Sequence, residues 1–153
     1  MLYNFELVNQ RVRLWQRVGE SYEHVLMKAL GYAMFVREFP QLEIETRVGL
    51  RYKPDLVARA ADDGRFLFWG ECGANSVGKT VWLVKHAGLE RLVLFKIGQD
   101  IEQLADQLRD EIAPRYRPYN KVCLINFISD IVDLTATHKI EKVPAEWYNK
   151  INL

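Results

Sequence analysis

Apolar residues alternate with charged or polar ones along the start of the chain, at Phe5 and Leu7 and then at Val12 and Leu14. Period-two alternation marks half-buried strands, and the break at Asn9 and Gln10 supplies a turn, so the pattern predicts an N-terminal hairpin ended by Gly19. From Ser21 the period changes. The run YEHVLMKALGYAMFVREF sets Val25, Leu26, Ala29, Leu30, Ala33 and Met34 on one stripe. That spacing predicts a helix with Ser21 as its N-cap and Pro40 closing the segment.

Three strand-like runs follow: Glu43 to Val48, Asp55 to Ala60, and Arg65 to Cys72. Asp62, Asp63 and Gly64 between the last two have the composition of a tight turn, so the three runs predict an antiparallel meander. A helix capped by Ser76 is expected to reach about Ala87, where Gly88 stops it. Arg91 to Ile97 and the run VCLINFI read as short, fully apolar strands of the buried kind, with a helix over Ile101 to Ile112 between them. VPAEWYNKI, after Pro144, predicts a short terminal helix. The order of elements is that of an α/β domain.

With 153 residues and 49% hydrophobic content the chain is expected to form a single domain over residues 1–153 around one core. Twenty-one basic residues against twenty acidic give a net charge of +1, which excludes a global field for polyanions and leaves only local patches. One such patch is APRYRPYNK, Ala113 to Lys121, where basic and aromatic residues interleave. A proline-punctuated surface loop is the plainer reading of it. Cys72 and Cys123 form no CxxC or Cys/His spacing, so neither a zinc site nor a disulfide partner is expected. No run is long and apolar enough for a signal peptide or a membrane span, which sets the expectation of a soluble, cytoplasmic protein with no membrane partner. Assembly into an oligomer stays open.

Two chemistries compete for the stretch ECGANSVGKTVW. Gly73 to Thr80 fits the phosphate-loop pattern G-x-x-x-x-G-K-[ST], in which backbone N–H groups wrap the phosphates and the lysine reaches their outer oxygens. A hairpin and a meander precede it, however, where that loop normally follows an early strand of a parallel sheet, and Glu71 would set a carboxylate beside a triphosphate. The best later candidate for the aspartate that would hold its metal is Asp130, a weak match. The other chemistry starts from Asp55, which opens one strand, and Glu71, which ends the next. If those strands form a hairpin, the two carboxylates lie side by side, and with the backbone carbonyl of Cys72 they offer hard oxygen ligands to Mg2+ or Mn2+. A nearby lysine would orient a metal-bound water for attack on phosphorus.

KPDLVA followed by FWGECG, in the order helix, strands, helix, strand, resembles the PD-(D/E)xK nuclease superfamily, whose fold is that of the restriction endonucleases. More narrowly, GESYEHVLMKAL, PDL and ECGANSVGKT are similar to the first helix with paired glutamates, the aspartate motif and the E-x-G motif of the YaeQ family. The resemblance covers roughly Tyr3 to Lys96. It implies a restriction-endonuclease-like core, a metal-dependent nuclease or phosphodiesterase with nucleic acid as partner, metal ligation by Asp55 and Glu71, and a supporting acidic role for Glu23 or Glu20. It departs from the superfamily at one position. The usual lysine stands two residues after the glutamate, where this chain has Gly73, so Lys79 or Lys85 must replace it. Lys79 falls in the first turn of its helix, beside the strand end bearing Glu71, whereas Lys85 lies about 9 Å further along the axis and is turned about 240° away. Lys79 is the better placed. A non-catalytic binding module on the same fold is the alternative, and a nucleotide-binding protein the more distant one. His24, His86 and His138 form no recognisable ligand or nucleophile pattern.

Overall fold

The computed structural model describes every residue from Met1 to Leu153. β1 (Leu2–Leu7) and β2 (Gln10–Trp15) pair antiparallel from Leu2 opposite Trp15 to Leu7 opposite Gln10. Val8 and Asn9 between them have φ of 50° and 64°. Two consecutive positive values are what a two-residue hairpin loop matched to strand twist requires. α1 (Tyr22–Phe35) begins as expected: the Ser21 hydroxyl accepts from the backbone N–H of His24 and satisfies one of the open donors of the first turn.

The main sheet has six strands in the order β3-β4-β5-β6-β7-β9. β3 (Glu43–Ile44), β4 (Leu56–Arg59) and β5 (Phe66–Cys72) form the antiparallel meander. β6 (Leu92–Ile97) and β7 (Val122–Phe127) extend it in parallel, each reached through a helix, α2 (Val77–His86) and α3 (Ile101–Glu111). Two expectations fail. Only Glu43 and Ile44 of the first predicted strand pair with β4, and Glu45 leaves the sheet with a φ of 56°. The predicted terminal helix is a single tight turn at Ala145–Trp147 followed by β9 (Tyr148–Asn152), antiparallel to β7. Pro144 offers no side-chain cap, and the otherwise open edge of β7 supplies hydrogen bonds that a five-residue helix would not match.

α1 covers one face of this sheet, burying Val25, Leu26, Ala29 and Leu30 against Leu56, Phe68, Val93 and Phe95. It lies close to the strands because Gly31 faces them; a Cβ there would sit 2.6 Å from Leu56 Cδ1. α2 and α3 cover the other face over Val57, Trp69, Leu92, Leu94 and Leu124. After a one-turn α4 (Ile131–Leu134), β8 (Lys139–Ile140) joins the hairpin as a third strand, parallel to β1. The result is a mixed α/β protein with two sheets and four helices. No helix is long and apolar enough to cross a membrane.

Candidate functional site

The parallel strands β5 and β6 end together, and the first turn of α1 lies beside them over an open cavity of about 900 Å³. Leu56 pairs with Gly70, which brings Asp55 near enough to Glu71 for its charge to act on it. Asp55 turns to His24 of α1 and lines the cavity, whereas Glu71 turns to Lys79 of α2 and does not line it. The two carboxylates that the sequence places at one end of a hairpin are thus brought near each other. Asp55 Oδ2 accepts from the backbone N–H of Cys72 at 2.8 Å, and its Oδ1 lies 3.5 Å from His24 Nε2. Burial pushes Asp55 up, but the hydrogen bonds from His24 and Cys72 prevail and hold it below the usual carboxylate range.

Glu71 behaves in the opposite way. It is 2% exposed, and burial together with the charge of Asp55 pushes its carboxyl up to about 7. Its Oε1 receives the Lys79 ammonium at 2.9 Å and the Trp69 indole N–H at 3.2 Å. Lys79 is therefore the lysine that reaches Glu71, held also over the Tyr52 ring at 5.0 Å. Lys85 is exposed and sits over Tyr116 at 5.3 Å instead. The thiol of Cys72 lies on the α1 face, and burial raises it well above its ordinary range, which disfavours the thiolate.

Gly73 ends β5 with a φ of +83°. Any other residue there costs about 1–2 kcal/mol. The chain has already turned away two residues after Glu71, and a Cβ at 73 would meet His24 and Met27 of α1, so it would not extend the row that begins with Glu71. In its place the register sets Lys96 of β6 next to Gly73, because Cys72 pairs with Phe95. The Lys96 ammonium donates to the Gly73 carbonyl oxygen. Lys96 is 8% exposed and lines the cavity.

The glutamates of α1's start differ. Glu20 accepts from Lys28 at 2.6 Å and is joined to His24, whereas Glu23 stands exposed on the cavity rim with no ion pair. Lys28, 1% exposed, also donates to Glu45, and Arg17 lies 3.6 Å from the same glutamate. The chain from Arg17 through Glu45, Lys28, Glu20 and His24 to Asp55 is continuous. Burial lowers Lys28, but the hydrogen bonds it donates to Glu20 and Glu45 raise it overall. His24 is raised chiefly by its hydrogen bond with Asp55. Sequence reasoning left His24, Lys28, Glu45 and Lys96 out of the site. The signal for Lys96 was a lone cation in the otherwise apolar strand LVLFKI; for His24 and Lys28 it was their spacing four and eight residues after Glu20, on the same helix face.

No group of three or more His, Cys, Asp or Glu side chains is arranged to hold a metal ion. Two carboxylates and backbone oxygen remain as donors, a set that suits a cation retaining several waters. Of the stretch that fits the phosphate-loop pattern, Gly73 to Ser76 precede helix α2, which begins at Val77, and the motif lysine is ion-paired with Glu71. Thr80, 2% exposed, donates its hydroxyl to the Ser76 carbonyl. The basic and aromatic loop from Ala113 to Lys121 precedes β7 and lies at the other end of the parallel strands from the cavity.

The site is thus a cleft at the ends of parallel strands in a two-sheet α/β fold. No family model matches the sequence, and no curated protein does. Two solved structures share the fold over 99% of this chain. The YaeQ protein from Xanthomonas axonopodis pv. citri superposes with a TM-score of 0.65 at 14% identity over 94% of its own length. The YaeQ protein from Pseudomonas syringae does so with a TM-score of 0.63 at 18% identity over 92% of its length. The chain has the fold of the YaeQ proteins.

Proposed function

We propose that the protein is a YaeQ-type member of the PD-(D/E)xK superfamily and acts as a metal-dependent nuclease or phosphodiesterase on nucleic acid. The observation that carries this reading is the juxtaposition of Asp55 and Glu71 with the Lys79 ammonium on Glu71 Oε1. Burial first, and then the charge of Asp55, raise Glu71, and a divalent cation between the two carboxylates would relieve both. Asp55, Glu71 and the Cys72 carbonyl would hold Mg2+ or Mn2+, which when bound supplies an activated water and charge neutralisation at phosphorus. Lys79 favours the ionised form of Glu71, and the Trp69 indole fixes the same oxygen. His24 does likewise for Asp55. Glu23, free on the rim, has the position for a supporting carboxylate.

Purified protein with Mg2+ or Mn2+ is expected to cut single- or double-stranded DNA or RNA, and Asp55→Ala and Glu71→Ala are each expected to abolish cutting. Full activity in both variants overturns the assignment. A second reading, a binding module without catalysis, is favoured by a specific observation: each carboxylate already has a basic side chain as partner, His24 or Lys79. Binding that needs no metal and survives Glu71→Ala would decide for it.

A further inference from the structure

Two lysines of this protein are buried, and only one has carboxylate partners. Lys28 is held between Glu20 and Glu45. Lys96 has its one hydrogen bond to a neutral acceptor, the Gly73 carbonyl, although an ammonium carries three donors. Glu71 is near enough to act on it through space, yet no carboxylate pairs with it directly, and burial is the largest influence, lowering Lys96 below the ordinary lysine range. A buried cation with no counter-charge is an expensive feature to keep in a fold. A second unused donor belongs to the same cavity. Asn75 Nδ2, in the loop between β5 and α2, is buried and finds no acceptor in the protein. Lys96 and Asn75 both line the large cavity.

We propose that Lys96 and Asn75 form the receptor for an anionic phosphoryl oxygen at the sheet end of the cleft, with Lys96 supplying the charge and Asn75 a directed N–H. The unused donors call for an anionic oxygen whatever the reaction. That this oxygen belongs to phosphorus, and not to a carboxylate, rests on the phosphodiesterase reading. Lys96 thereby takes the place beside the Asp55 and Glu71 pair that the left-handed turn at Gly73 denies to its own strand. Lys79, bonded to Glu71, is left to manage that carboxylate.

The test uses inorganic phosphate as the probe, with the ionic strength held constant by chloride. The thermal midpoint of the wild-type protein is expected to rise with phosphate concentration, since a ligand that binds only the folded state stabilises it. Lys96→Met is expected to raise the phosphate-free midpoint, because it replaces an uncompensated charge by an apolar chain, and to weaken phosphate binding about tenfold or more. Lys96→Arg should retain a response, as should Lys85→Met on the far side of α2. Asn75→Ala should weaken binding less than Lys96→Met. A wild-type midpoint indifferent to phosphate overturns the proposal. So does a loss of stability or of folding in both Lys96→Met and Lys96→Gln, which would make Lys96 a structural cation. A phosphate response without nucleic-acid cleavage keeps the receptor and rejects the nuclease. Cleavage with unchanged kcat and KM in Lys96→Met does the reverse.

Discussion

On the α1 wall of the cleft, Lys28 is enclosed by Glu20 and Glu45, Glu20 also meets His24, and His24 meets Asp55. On the β6 wall, Lys96 is almost as deeply buried and meets only a backbone carbonyl. Both walls remove a lysine from water, and both must offset the desolvation of an ammonium. The first does so within the protein, through alternating charges that fix the start of α1 against the strand ends. The second leaves the compensation to something that enters. A fully paired network holds a shape, whereas an unpaired charge in a cavity prepares a binding event.

The largest test of this contrast is to empty the paired wall. Lys28→Met leaves Glu20 and Glu45 facing each other without their cation. Loss of one partner of a buried pair typically costs 3–5 kcal/mol, and the partial exposure of Glu45 puts the expected loss near the low end, about 3 kcal/mol, readable from urea denaturation. The sign is opposite to that expected for Lys96→Met, so a common sign for the two substitutions would break the comparison.

Acid–base behaviour sharpens it next. Glu71 binds its proton more tightly folded than unfolded, so its contribution to stability is fully present below pH 4.5 and is lost as pH rises to about 7. A shift of that size corresponds to up to about 3 kcal/mol. The raised His24 acts in the same direction in a higher window, from pH 6.5 upward. Asp55, held low, works the other way, and its contribution is lost only as pH falls below 3.8. Stability measured by urea denaturation is therefore expected to decline from mildly acidic pH to about pH 8. Glu71→Gln should flatten the part of that decline below pH 7 and leave the His24 part.

The smallest effect concerns the anchor of the paired wall. Ser21→Ala removes the hydroxyl that caps α1 and is expected to cost about 1 kcal/mol in chemical denaturation. It should also loosen Glu20, which precedes the cap, and His24, whose backbone N–H the cap accepts from, without altering the phosphate response at Lys96.

The pattern of the chain already contained most of the elements, because caps and periods are local properties. Ser21 and Ser76 cap the two helices expected of them, and the alternating start gives the hairpin. Tyr148 to Ile151, the second half of the expected terminal helix, are strand because a tertiary partner, the edge of β7, decides their state. The site divides along the same line. Asp55 and Glu71 belong to strands joined by a tight turn, so their meeting could be inferred from the turn alone. Gly73 and Lys96 belong to parallel strands with a helix between them, and no turn sets the register of that pair. The partners of Lys28 likewise come from the turn before its helix and from a segment that leaves the sheet at Glu45.

The segment from Lys139 to Asn152 has a consequence in time. It adds β8 to the hairpin sheet and β9 to the edge of the main sheet, so both are completed by residues that leave the ribosome more than forty positions after Lys96. Contacts of such sequence separation close slowly. The residues of the cleft are all synthesised before the strands that finish its two supporting sheets, and during that interval the edges of β1 and β7 are open to whatever strand arrives first. A nascent chain halted before Lys139 would hold every candidate site residue and still lack the two strands that close the fold around them.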